Sequence, residues 1–215
     1  MCRDIARLEP LIKRCIPLPT KKLYKHARRF RTIDEVEQYF PGFKAFIDST
    51  EQEIPKPMNK RKRKSYYSGK KKKHTVKTQY MVNTKGLILH KTGYIRKVGN
   101  MIMIFTNTNH PVTPPSQVEN IFDLGYLGVE KDFPTVKSVL PIRKRRNNML
   151  SYEETTYNKK HSQLRIIIEH TICRLKKFGI MGTRFRNRVT KYNHASDIVS
   201  GLLNFRIMKF NRISL

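Results

Sequence analysis

The sequence predicts an α/β protein, a mixed sheet flanked by helices with a short helical segment before it. Three observations predict this. Short apolar runs bounded by turn residues recur through the first two thirds of the chain and read as buried strands. The last third carries apolar residues at helical spacing. Two of the strand candidates stop at a carboxylate, Asp48 and Asp123. Acids at strand ends can converge at the edge of a mixed sheet.

The elements follow in order. Ile5, Leu8, Leu11, Ile12, Cys15 and Ile16 have helical spacing, Asp4 is a candidate N-cap, and Pro17 and Pro19 end the helix. A basic connector, Lys21 to Arg31, leads to Thr32-Ile33-Asp34-Glu35, a capping box that opens a short helix ending near Phe40. Residues 1–41 are thus a helical segment too small to stand alone, and 42–209 form the main domain. Phe40, Pro41 and Gly42 break the chain before the apolar run Ala45 to Ile47, which ends at Asp48. Taken alone, this stretch reads most simply as a strand followed by a helix N-cap at Asp48 or Ser49.

Residues 56–73 hold ten basic residues and no acid: Lys56, then Lys60, Arg61, Lys62, Arg63 and Lys64, then Lys70, Lys71, Lys72 and Lys73. A solvated charge run accounts for this composition. Tyr66 and Tyr67, lying between the two runs, favour nucleic acid, because rings stack on bases while Lys and Arg hold phosphates. Val76, Thr78, Tyr80 and Val82 alternate as a half-buried strand, Asn83 to Gly86 turn, and Leu87 to His90 return. Asn120 to Asp123 is a further strand, followed by a glycine-bearing turn, Leu124 to Gly128. Ser138 to Ile142 is another, with Arg143 to Arg146 after it. The strongest helix runs from Ser162, as N-cap, to Phe178, with Leu164, Ile168, Ile172 and Leu175 as its inner stripe. Glu169 borders that stripe, with Arg165 one turn before it and Lys176 about two turns after it. The simplest reading of Arg165 and Glu169 is a surface ion pair. A final helix, about Ser196 to Met208, turns Ile198, Leu202 and Phe205 inward.

At 215 residues the chain suits one domain with a small appendage. Its 45 Lys and Arg against 16 Asp and Glu give a formal net charge of +29. That excess implies a polyanionic partner, nucleic acid first and an anionic membrane second. No apolar stretch is long enough to span a bilayer, and Arg3, Asp4 and Arg7 interrupt any signal-peptide core. Cys2, Cys15 and Cys173 lack metal-ligand spacing, which fits a reduced intracellular compartment, with Cys173 in the core.

Four motifs, in this order, resemble the insertion-sequence transposases of the DDE superfamily, of the type related to Harbinger elements. They are Ile47-Asp48-Ser49-Thr50-Glu51, Tyr66 to Thr75, Asp123-Leu124-Gly125-Tyr126-Leu127-Gly128, and Arg165 to His170 running on through Lys176. The resemblance covers residues from about Phe40 to Met208. It implies an RNase H-like fold, with 42–209 as the catalytic domain and 1–41 as the remnant of a helix-turn-helix region. It makes Asp48, Asp123 and Glu169 the acids that hold two Mg²⁺ or Mn²⁺ ions. Lys176 and Arg165 become candidate phosphate contacts, and the Lys60 and Lys70 clusters with Tyr66 and Tyr67 candidate DNA contacts. The related signature has Tyr where this chain has Ser162, and relatives carry a longer region before the first acid. The first departure leaves no role for position 162, and the second implies weakened end recognition.

The function expected is metal-dependent cleavage and strand transfer at insertion-sequence ends. The partner is double-stranded DNA, as transposon ends and target, and not a membrane; a homo-oligomer on DNA is left open. The location is cytoplasmic, at the nucleoid. Two rivals stand beside it: a catalytically inactive DNA-binding remnant, and an RNase H-like nuclease that cuts without transposing. Relatives also carry a His-Asp pair after the third strand, where this chain has Val98-Gly99-Asn100-Met101-Ile102-Met103-Ile104. Read one base earlier, every Met-Ile junction encodes Asp. Residues from about Ile95 to Asn107 therefore read as a compensated frameshift, with low transposition as its consequence; the alternative is chance, since Met-Ile repeats occur in ordinary strands and helices.

Overall fold

A mixed sheet carries the molecule. The computed structural model describes residues 2–19, 32–95, 116–146 and 149–212. In chain order they form helices α1 (Cys2–Cys15) and α2 (Ile33–Tyr39), strand β1 (Lys44–Glu53), helix α3 (Lys60–Tyr66), and strands β2 (Tyr67–Ser68), β3 (Lys73–Asn83), β4 (Ile88–Lys91) and β5 (Glu119–Ile121). The one-turn helix α4 (Val129–Asp132), strand β6 (Ser138–Val139) and helices α5 (Tyr152–Lys176), α6 (Gly179–Gly182) and α7 (Tyr192–Asn211) complete them.

The sheet order is β2-β3-β1-β5-β6, with β4 also paired to β3. β3 runs antiparallel to β1 and β4 antiparallel to β3, while β5 and β6 run parallel beyond β1. This is the RNase H-like arrangement that the resemblance implies. The capping box at Thr32 and Glu35 forms and starts α2. Gly42, at φ +66, turns the chain into β1. Ala45, Phe46 and Ile47 are wholly buried, and Tyr80, Val82, Leu87, Ile121 and Phe122 pack with them.

Several elements differ from the sequence reading. β1 does not stop at Asp48 but continues to Glu53, because β3 supplies it with a partner to the end. β3 is buried on both faces over most of its length, not half-buried, since it is an inner strand. α5 begins at Tyr152 behind a Ser151–Glu154 capping box, well before Ser162. Its first turns are polar and carry no apolar stripe to reveal them. Its buried face is His161, Arg165, Ile168, Thr171 and Leu175; Leu164 is exposed, and so is Cys173.

α7 likewise starts earlier, at Tyr192, and its buried face mixes Ser196, Ser200, Gly201 and Asn204 with apolar Tyr192, Val199, Leu203 and Ile207, while Leu202 and Phe205 are exposed. Close approach explains this. A Cβ at Gly201 would lie 2.6 Å from Ile16 Cδ1, so Ile16 and Leu18, just past α1, sit directly on the helix backbone. The Asn204 side chain donates to the Ile88 carbonyl and accepts from its N–H, both at 2.9 Å. It thereby fills one position of the sheet's hydrogen-bond ladder at the β4 edge. Leu8 and Leu11 of α1 are exposed.

Candidate active site

The site lies where β1 loses one neighbour. The last parallel pair is Phe46↔Ile121, and Asp48 and Asp123 each lie two residues beyond it. Asp123 follows β5 as the N-cap residue of a 3₁₀ turn, Leu124–Tyr126. The antiparallel side stays closed, with Asp48 opposite Tyr80. Two like charges at matched positions on adjacent strands repel unless a cation lies between them.

Arg165 of α5 supplies that cation. Its Nη2 donates to Asp48 Oδ2 at 3.0 Å, and its Nη1 lies 3.1 Å from Asp123 Oδ1. The planar fork suits two carboxylates at once. The expected Arg165–Glu169 surface pair is thus replaced by a bridge to the two strand acids. Asp48 Oδ1 accepts the Ser49 N–H at 2.7 Å. Burial raises the Asp48 pKa above the usual carboxylate range; Arg165 and the Ser49 N–H pull against it, and the charges of Asp123 and Glu169 add to the rise. Beneath them the Tyr126 ring is fully buried, and burial drives its phenol pKa up.

Glu169 is exposed, one turn along α5 from Arg165, and close enough for its charge to act on Asp48. Among the described residues no three His, Cys, Asp or Glu side chains gather around one point. The structure therefore joins Asp48 and Asp123 directly, through Arg165, and leaves Glu169 apart from the pair. Glu51, in the same motif as Asp48 but three residues on, has a structural place. Burial would raise its pKa, but hydrogen bonds from Ser68 and Thr75 and the charge of Lys77 outweigh burial and hold it low.

The donor set fits a hard divalent cation: anionic oxygens from two strands converge on a space that already holds positive charge. A metal there requires the Arg165 fork to withdraw from between the acids.

The basic segment is ordered rather than a loose run. Asn59 caps α3 through the Lys62 N–H, and Lys60, Arg61 and Lys64 are exposed on it. Arg63 is partly committed, donating to the carbonyls of Pro57 and Met58. Lys73 pairs with Glu53. Tyr66 is buried in the core, so its ring is not a surface for bases; Tyr67 is exposed, edge-on to His74. Lys70, Lys71, Lys72 and Lys176 are exposed. A second basic region, Arg143 to Arg146, borders a cavity of about 790 Å³ together with Leu127, four residues past Asp123. Asn158 of α5 anchors its start by bonding both the N–H and the carbonyl of Ile142. The run of four basic residues after a strand was its only signal in the sequence. Of the segment read as a frameshift, only Ile95, bridged to Lys77, lies among the described residues.

An RNase H-like sheet with paired strand-end acids is the framework of a phosphodiester-cleaving nuclease. The chain belongs to the DDE superfamily endonucleases, whose sequence pattern matches residues 47–204. It is 28% identical over 210 residues to a probable transposase for insertion sequence element IS702 from Microchaete diplosiphon, covering 96% of this chain and 70% of that protein. No solved structure matches the chain. The protein is thus a transposase-type nuclease by resemblance. No helix among the described residues is long and apolar enough to cross a membrane.

Proposed function

We propose that the protein cleaves DNA at insertion-sequence ends and transfers the strand, using divalent metal held by Asp48, Asp123 and Glu169. The observation that carries this reading is the pairing of Asp48 and Asp123 across β1 and β5 through a single cation, Arg165. Bound there, Mg²⁺ or Mn²⁺, as two ions, would activate the attacking hydroxyl of water or a DNA 3′ end and offset charge on the leaving oxygen. Asp48 and Asp123 supply fixed oxygens from the sheet, and Glu169 an adjustable one from α5. Arg165, once released from the acids, is positioned to take a DNA phosphate, with Lys176 further along the same helix. Lys60, Arg61, Lys64 and Lys70 to Lys72 hold the backbone of double-stranded DNA, transposon end or target, and Tyr67 offers the exposed ring. Residues 42–209 form the catalytic unit, and the packing of Ile16 and Leu18 on α7 attaches the segment before it to the same body.

The test is Mg²⁺-dependent nicking and strand transfer on DNA carrying the element's ends. Nicking is expected from the intact chain and not from Asp48→Asn or Asp123→Asn. Nicking that survives loss of both acids would sink the assignment.

A further inference from the structure

A second charged cleft lies away from the acids. It is bounded by Lys85 in the turn between β3 and β4, by Arg174, Lys177 and Phe178 at the end of α5, and by Arg206 and Phe210 of α7, and encloses about 670 Å³. The volume suits a ligand of nucleotide size. Basic residues at the end of a helix complement its dipole, which accounts for Arg174 and Lys177 taken singly. It does not account for Lys85 and Arg206 converging on the same space from two other elements. No acid lines the cleft. None of the four cations has an ion-pair partner among the described residues. Clustered like charges repel, so their convergence makes sense with an anion between them.

The apolar part of the cleft narrows the choice of anion. Phe210 is 75% exposed, and the Arg206 guanidinium lies 5.6 Å from its ring centre. An exposed ring and a guanidinium plane are the surfaces on which unpaired bases stack. Nine residues of α5, about two and a half turns, separate Arg174 from Arg165, so the cleft opens on the side of the helix away from the acids. We propose that this cleft binds single-stranded DNA apart from the cleavage site, phosphates on Lys85, Arg174, Lys177 and Arg206 and a base on Phe210. The inference rests on the DNA-cleaving function proposed above and adds a single-strand site to it.

The experiment uses the full chain in EDTA, with binding of a fluorescein-labelled thymidine oligonucleotide and of a hairpin duplex followed by anisotropy across a salt series. Phe210→Ala is expected to weaken the single strand about tenfold and to leave the duplex nearly unchanged. Phe210→Trp, which keeps a ring, retains the affinity. Arg174→Gln with Arg206→Gln lowers the single-strand slope of log K against log salt by about 1.4. Normal single-strand binding by both the Ala and the double Gln variants overturns the proposal while leaving DNA binding intact. Equal losses for duplex and single strand in Phe210→Ala, or loss in Phe210→Trp, overturn it as well. So does thymidine monophosphate binding as tightly as the oligonucleotide. Absence of any DNA binding by the unaltered chain overturns the function proposed above, and this site with it.

Discussion

β1 has a closed side and an open side. Toward β3 it is paired from Ala45 to Glu53; toward β5 it is paired only from Lys44 to Phe46. The closed side is apolar and buried from Ala45 to Ile47 and polar, with its groups paired, beyond, and its job is cohesion. The open side begins where the ladder stops, and there the polar groups Asp48, Asp123 and Arg165 face one another. The lesson is that a truncated parallel neighbour makes the candidate site: it fixes two acids in register while leaving room for the Arg165 cation between them.

The two sides should separate cleanly under substitution. Asp123→Asn is expected to lower metal-dependent cleavage by on the order of a thousandfold or more, since metal-held charge stabilisation is worth several kcal/mol. Asp123 is half exposed, so its melting temperature should barely move; a large drop would assign Asp123 to cohesion. Phe46→Ala, at the last residue of β1 paired on both sides, should cost about 3–5 kcal/mol in urea unfolding. Asn204→Ala should cost about 2 kcal/mol by stranding the N–H and carbonyl of Ile88.

Arg165→Ala sharpens the comparison on the open side. Removing the fork leaves two carboxylates facing each other and should cost about 1–2 kcal/mol, less than a fully buried pair because Asp123 is half exposed. Added Mg²⁺ should then raise the melting temperature more than in the unaltered protein; an equal rise would mean that arginine and metal do not share the space. The smallest effect is expected on the closed side. Burial, aided by the charge of Lys91, lowers the His90 pKa to about 3. The unfolded chain takes up that proton near pH 6.5 and the folded chain only near 3, so stability falls as pH drops through this window. Between pH 7 and 5.5 the loss should be about 1 kcal/mol. His90→Gln should flatten that slope in urea titrations.

Much of the fold was legible because local signals carried it: the capping box at Thr32, the apolar run ending at Asp48, and the turn at Gly86. The two acids were legible by their place after apolar runs. The role of Arg165 was not, because helical spacing put it beside Glu169, whereas its partners lie 117 and 42 residues away, one on β1 and one just past β5. The inner face of α7 was misread for a related reason. Leu202 and Phe205 are as hydrophobic as the buried Leu203 and Ile207, but the close packing of Ile16 and Leu18 on Gly201 fixes which side of α7 turns inward. Tyr66 and Tyr67 show the limit of composition: adjacent residues of one type divide between core and surface.

The bond between Asn204 and Ile88 has a consequence for synthesis. The two residues are 116 positions apart. At translation rates of about 5–20 residues per second, β4 leaves the ribosome on the order of ten seconds before the side chain that closes its ladder. Through that interval the nascent sheet offers an unsatisfied edge to any neighbouring strand. Chaperone dependence and misassembly on crowded polysomes should therefore track the arrival of α7 rather than the completion of the sheet.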